Sequence, residues 1–198
     1  MPVSWKRAVV GLVATLTMAM LMTAPAEAAT EVVTGTATTS GGNGITTTDL
    51  VYSSPGILGS GTIHFDFVLI PVPGGFRTEG TGVLTRADGA TLTGTETGTV
   101  DLTTTPFPVV IRFIVTAGTG VLAGASGEIV LTGTSRGPGA IGDVFAMTGT
   151  LTTPPPVPTD KDQCKHGGWQ NLADDQGEPF KNQGQCVSFV MPAKELRG

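Results

Sequence analysis

Lysine is missing from most of this chain. None occurs between Ala8 and Asp160, where the only basic side chains are Arg77, Arg86, Arg112 and Arg136. Charged residues make up just 14% of the 198 positions, and the formal net charge is −5. Phosphate backbones are bound through clustered Lys and Arg. A nucleic-acid partner is therefore excluded, and anionic membrane surfaces are disfavoured for the same reason. Good helix formers such as Leu, Glu, Lys and Gln are sparse, and no segment of the central region keeps a 3.6-residue apolar period. Cysteine occurs twice, at Cys164 and Cys186. No catalytic, metal-binding or phosphate-binding constellation stands out, and nothing calls for a cofactor.

The N-terminus has the three parts of a secretory signal. Lys6 and Arg7 form a basic start, Ala8 to Met22 is uncharged and mostly apolar, and Pro25 precedes the small-residue site Ala26-Glu27-Ala28. This is the pattern that a signal peptidase cuts, here after Ala28. The apolar run is short for a spanning helix, which needs about 20 residues. No Cys lies near the cut to take a lipid, and Lys6-Arg7 is not a twin-Arg pair. No second apolar run suggests a tail anchor, so the expectation is a secreted, extracellular protein without a membrane span. Removing residues 1–28 takes away Lys6, Arg7 and Glu27, which makes the mature chain one unit more negative.

What is abundant is Thr and Gly. Thr is β-branched and suits a pleated, half-exposed surface. Thr62 to Ile70 alternates, with Ile63, Phe65, Phe67 and Leu69 on one face and His64, Asp66, Val68 and Ile70 on the other. That period of two predicts a strand with one buried face, stopped by the Pro/Gly cluster at 71–75. An earlier strand is expected near Glu31–Ala37, followed by a loop over residues 40–44. Val109 to Val115 is apolar on both sides and reads as a central strand entered at Pro106 and Pro108. Glu128–Thr134 and Val144–Leu151 supply two more. About seven or eight short strands fit between Glu31 and Leu151, which predicts an all-β barrel or sandwich.

An internal repeat runs through this region. Residues 80–89 (Gly-Thr-Gly-Val-Leu-Thr-Arg-Ala-Asp-Gly) match residues 118–127 (Gly-Thr-Gly-Val-Leu-Ala-Gly-Ala-Ser-Gly), and each copy leads on to a Thr-Gly-Thr. The expected unit is a Gly-rich turn, a short apolar pair, a second Gly turn and a strand. Two copies fit similar hairpins at related positions of one sheet or barrel.

Composition changes after residue 152. Residues 153–160 are Pro-rich, a stiff and extended linker. Residues 161–198 hold both cysteines, Trp169, and Lys161, Lys165, Lys181 and Lys194. Two Cys bracketing a short loop in an exported protein most simply pair with each other. Trp169, Phe180 and Phe189 are expected to pack around that bridge. The alternative is a metal site built with His166, but two Cys and one His fall short of a closed zinc shell.

Two resemblances follow from these residues. The stretch Cys164 to Trp169 with Phe180 to Phe189 resembles a cysteine-bracketed tail that recurs at the ends of exported bacterial proteins, a likeness that carries no function. The motif at residues 118–127, leading into Glu128–Thr134, is similar to a turn and strand of the allene oxide cyclase and dirigent group of small β-barrels. That likeness implies an eight-stranded antiparallel barrel with a central apolar pocket. None of the group's functional residues maps onto a position here, so no activity is carried over.

Individual candidate sites are modest. His64 and Asp66 share a strand face, and such a pair can act as a general base, but that face is the outer one. Arg112 would bind an anion in a pocket or pair with Glu96 or Glu128. Asp174-Asp175-Gln176-Gly177-Glu178 has oxygen enough for a Ca²⁺ ion but not the spacing of a known calcium loop. Ser126 lacks the nucleophile-elbow pattern, and Asp88 at its place in the repeat speaks for a turn role. The Gly-rich runs open no helix and precede no Lys, unlike phosphate loops.

The expected protein is a secreted, small antiparallel β-barrel (residues 29–152) of about eight strands with a short disulfide-closed C-terminal appendage. Its expected role is a non-catalytic binding or structural module whose partner is a small apolar ligand or a surface component. The alternatives are a cell-surface adhesion or coat protein, and a shape-selective cyclase or isomerase. The last of these needs a pocket holding a buried polar group.

Overall fold

The computed structural model describes residues 27–191. The expected signal segment lies outside them, apart from Glu27 and Ala28. Eight strands form a closed barrel: β1 (Ala29–Gly41), β2 (Thr47–Ser53), β3 (Ser60–Val72), β4 (Gly75–Arg86), β5 (Thr91–Asp101), β6 (Phe107–Gly118), β7 (Ser126–Ser135) and β8 (Val144–Thr153). Each pairs antiparallel with the next. β8 returns to β1, from Ala29 opposite Thr153 to Thr38 opposite Val144. Closure leaves no barrel strand with an unpaired edge.

The alternation in the sequence becomes inside and outside. In β5, Thr91, Thr93, Thr95, Thr97 and Thr99 point outward, while Leu92, Gly94, Glu96, Gly98 and Val100 point inward. The inward residues of β3 are Ile63, Phe65, Phe67 and Leu69, as the pattern predicts. Proline does not end β3 where expected. Pro71 pairs with Phe76 and Val72 with Gly75, so the hairpin turns only at Pro73-Gly74.

Because the strands run up and down, the β2–β3, β4–β5 and β6–β7 connections share one end. That end is plugged. Single 3-10 turns at Gly56–Leu58 and Gly120–Leu122 bring in Leu58 and Leu122, fully buried with Leu84, Leu92 and Leu151. Each such leucine removes enough apolar surface from water to contribute about 1.5–3 kcal/mol. Polar groups tie the first plug down. The Tyr52 hydroxyl donates to the Leu58 carbonyl at 3.1 Å, and the Ile57 N–H donates to Glu31 Oε1 at 3.0 Å. Arg86 donates to the Ile57 carbonyl and pairs with Asp88 at 2.9 Å. Burial pushes the Tyr52 phenol up to about 12, so it stays a hydrogen-bond donor throughout the neutral range.

The two repeat copies do not form the same unit. Residues 80–86 of the first are extended within β4, hydrogen-bonded on both sides, and only Ala87–Gly89 turn. The second copy leaves β6 and coils, with Gly120 and Gly124 at φ +60° and +71°. Arg86 in the first copy is replaced by Gly124 in the second, which permits that left-handed backbone. The likeness survives in side-chain direction: Leu84 and Leu122 are buried, Val83 and Val121 exposed. β6 also differs from expectation. A closed barrel has no central strand, and its outward Ile114 is 42% exposed.

Beyond β8, Cys164 and Cys186 form a disulfide with Cα atoms 5.7 Å apart. Closing a loop of this size is worth about 3 kcal/mol on the chain-entropy account. Cys164, Leu172, Phe180 and Cys186 make a second small core, with Trp169 packed against it. Phe189 lies on its rim, 5.4 Å from Phe180 between ring centroids. A short helix, α1 (Gln183–Val190), carries Cys186 and starts at Asn182, whose side chain accepts from the Gln185 N–H at 2.9 Å. Its eight residues are too few for periodicity to reveal. Among the described residues no helix is long and apolar enough to cross a membrane.

Candidate functional site

The other end of the barrel is open. There the wall continues upward in aromatic and aliphatic side chains, but no turn folds in to fill it. The result is a cavity of about 140 Å³. Phe65, Phe67, Leu69 and Phe76 come from β3 and β4, Val100 and Leu102 from β5 and its exit, and Phe107, Val109 and Ile111 from β6. Gly44 of the β1–β2 loop and Gly137–Ala140 of the β7–β8 loop border the mouth.

The mouth loop after β7 is held by an ion pair between the buried Asp143 and the exposed Arg136. Asp143 accepts from Arg136 Nε at 2.7 Å and from the Arg136 N–H at 3.1 Å. The Asp143 N–H donates to Thr39 Oγ1 at 2.9 Å, which fastens the loop to β1. Burial pushes the Asp143 carboxyl up, but the Arg136 side chain, the Arg136 N–H and the Ser135 hydroxyl together hold it below the usual carboxylate range.

The lining is mostly apolar, with hydroxyl residues Thr39, Thr48, Thr78, Thr99 and Ser135 and one ionisable group among it. Glu96 is only 2% exposed and points into the barrel from the middle of β5. It is the sole ionisable residue among those that line the cavity. Thr78 of β4 donates its hydroxyl to Glu96 Oε1 at 2.6 Å, and Oε2 has no hydrogen-bond partner. A Cβ at Gly98 would lie 2.5 Å from the Thr78 hydroxyl and 3.0 Å from Glu96 Oε1, so glycine is what leaves room for this bond. Burial raises Glu96 above the usual carboxylate range; the Thr78 bond opposes that rise, and Glu79 on the outer face adds to it. The group is a neutral acid under conditions where exposed carboxylates are ionised.

From sequence, Glu96 is only a candidate partner for Arg112. The structure separates them: Arg112 lies on the outer face and pairs with Glu128 at 2.6 Å. The signal was present in the alternation, since Glu96 takes an inward turn in a strand whose outward positions from 91 to 99 are all Thr.

The remaining candidates are dispersed. His64 sits on the outer face, as expected, bonded through Nδ1 to Asp49 at 2.5 Å, with Asp66 3.3 Å from Nε2. The Asp49 hydrogen bond chiefly, with Asp66, raises His64 above its ordinary value. All three side chains are about half exposed or more. Asp174 accepts from the Gln176 and Glu178 N–H groups and so closes a turn. Asp88 does the same with Ala90, while Ser126 opens β7 on the surface. Cys164 and Cys186 are joined to each other, so the metal alternative with His166 does not stand. Among the described residues, no group of three or more His, Cys, Asp or Glu side chains is placed to hold a metal ion.

These features define a closed eight-stranded antiparallel barrel with a one-ended apolar cavity and a disulfide-closed tail. No protein-family model matches the chain, and neither a curated protein nor a solved structure shows significant similarity to it.

Proposed function

We propose that this is an exported, ligand-holding barrel whose open half takes up a small, largely apolar molecule. The observation that carries the reading is the asymmetry of the interior: one half is packed solid with leucines, while the other keeps an apolar cavity of about 140 Å³ open to solvent. An apolar cavity of about 150 Å³ can accept a guest the size of benzene. Binding sites of this kind are mostly apolar with few polar groups that fix orientation, and Glu96 has that place here. The likeness to the allene oxide cyclase and dirigent barrels belongs to this proposal, as does export through the segment 1–28.

Native mass spectrometry of the protein, gently purified from the exported fraction, tests it. The expected result is a small-molecule adduct that leaves on denaturation. A ligand-free mass, together with no uptake of small aromatic probes in solution, would count against the reading and favour an adhesive or coat role.

A shape-selective isomerase or cyclase is the second reading, and Glu96 favours it. A neutral carboxylic acid in a largely apolar pocket can donate a proton or a hydrogen bond to a reacting oxygen.

A further inference from the structure

We infer that the cavity selects a neutral ligand with an apolar body and a single hydrogen-bond acceptor, a ketone or similar oxygen, seated on Glu96 Oε2. This rests on the cavity being a ligand site and adds the chemistry of the ligand's head.

Three observations lead there. Oε2 is buried and has no protein partner, and Glu96 is one of the residues that line the cavity. Buried polar atoms are almost always satisfied, so one left open inside a cavity marks the place of a missing partner. The second is the hydrogen-bond direction at the other oxygen. Thr78 donates to Oε1, so Oε1 is occupied as an acceptor and the acid proton belongs on Oε2. The open atom is thus a donor, and it calls for an acceptor.

The third is the lack of counter-charge. Arg77 and Arg112 lie on the outer face, where they pair with Glu79 and Glu128. No cation lines the cavity, and an ionised carboxylate buried there would be uncompensated. Burial without a counter-charge favours the neutral form, in line with the upward shift of Glu96. An anionic ligand would bring an unpaired charge into the same apolar space. An ammonium ligand would need Glu96 ionised first. A neutral acceptor needs neither change.

The test compares ethylbenzene, acetophenone and benzylamine, which are similar in size and differ in the head. Each is titrated at neutral pH against the wild-type protein, Glu96→Leu and Glu96→Gln, with binding read by ligand-detected NMR. Acetophenone is expected to bind wild type about tenfold more tightly than ethylbenzene, the worth of one hydrogen bond made in a largely apolar site. Glu96→Leu should erase that preference while still taking ethylbenzene, and Glu96→Gln, which keeps an N–H donor, should retain part of it. The preference within wild type decides the matter even if the Leu variant fails to fold.

Equal affinity for acetophenone and ethylbenzene in wild type would overturn the inference and leave the cavity a ligand site. Benzylamine binding most tightly, and more so as pH rises, would overturn it by making Glu96 an anion. Failure of all three probes to bind would overturn both this inference and the ligand-holding reading.

Discussion

The rings of Phe65 and Phe113 meet edge to face with centroids 5.8 Å apart, over a stretch of barrel wall that has no side chains. Gly82 and Gly94 stand opposite each other there, on β4 and β5. A Cβ at Gly82 would come within 2.6 Å of the Phe65 ring. Phe113 is fully buried while Phe65 also lines the cavity, so this aromatic pair is the boundary between the packed and the open half.

Gly82→Ala is therefore expected to push the Phe65 ring from its place and destabilise the barrel by about 1–3 kcal/mol, the usual cost of overpacking. Equilibrium denaturation checks it: the midpoint should fall with little change in slope. An unchanged midpoint would mean that the ring moves freely and is not the floor of the cavity.

Glu96 should give the barrel a stability that declines with rising pH. Its folded value is raised, so the folded state holds the proton longer than the unfolded chain. The associated stability is complete below the ordinary glutamate range and is lost as pH rises through the raised value. Glu96→Gln cannot titrate, and its unfolding free energy should lack this decline. Parallel denaturation series over pH would show it as curves that converge or cross toward high pH.

Asp143 should act in the opposite sense. Its folded value is lowered, so its contribution is present above the ordinary carboxylate range and is lost as pH falls through the lowered value. Asp143→Asn is expected to cost about 1–3 kcal/mol, since a buried hydrogen-bonded charge partner is removed. It should also raise hydrogen exchange at Arg136–Gly142 above that of the leucine plug at the other end. Equal exchange in wild type and variant would show that the ion pair does not hold the mouth loop.

Cys164→Ser should loosen the tail and spare the barrel. The bridge is worth about 3 kcal/mol by loop closure, and the small core around Trp169 and Phe180 has little else to order it. Limited proteolysis should cut residues 161–191 rapidly while a fragment covering β1–β8 persists. Cleavage throughout the barrel would show that the two parts are not independent.

Much of the barrel was legible because a strand writes its faces into the sequence at a period of two. β3, β6, β7 and β8 have large apolar residues on that period, and each lies where the pattern puts it, within a few residues at its ends. β4 was hidden. Its glycines at 80 and 82 read as turns, yet both are extended and paired with β3 and β5; a Cβ at Gly82 would strike the rings of Phe65 and Phe113, and one at Gly80 the β3 backbone at Asp66. α1 was hidden by its length, and the unlike folds of the repeat copies by their near-identical residues.

The amino-acid pattern alone points to an all-β chain, to strands with a buried apolar face, several of them Thr-rich on the other, and to Cys164 and Cys186 as the simplest pair. These follow from local chemistry: β-branched side chains, alternation, and two thiols close in sequence. Closure of the strands on themselves, the filled and the open end of the barrel, and the inward Glu96 with one oxygen unpartnered emerge only in three dimensions. Those properties depend on residues far apart in the chain. Leu58 and Leu122 plug the same end, and Thr78 meets Glu96 across two strands. A single strand's pattern says which side is inward, but not what the other seven leave empty there.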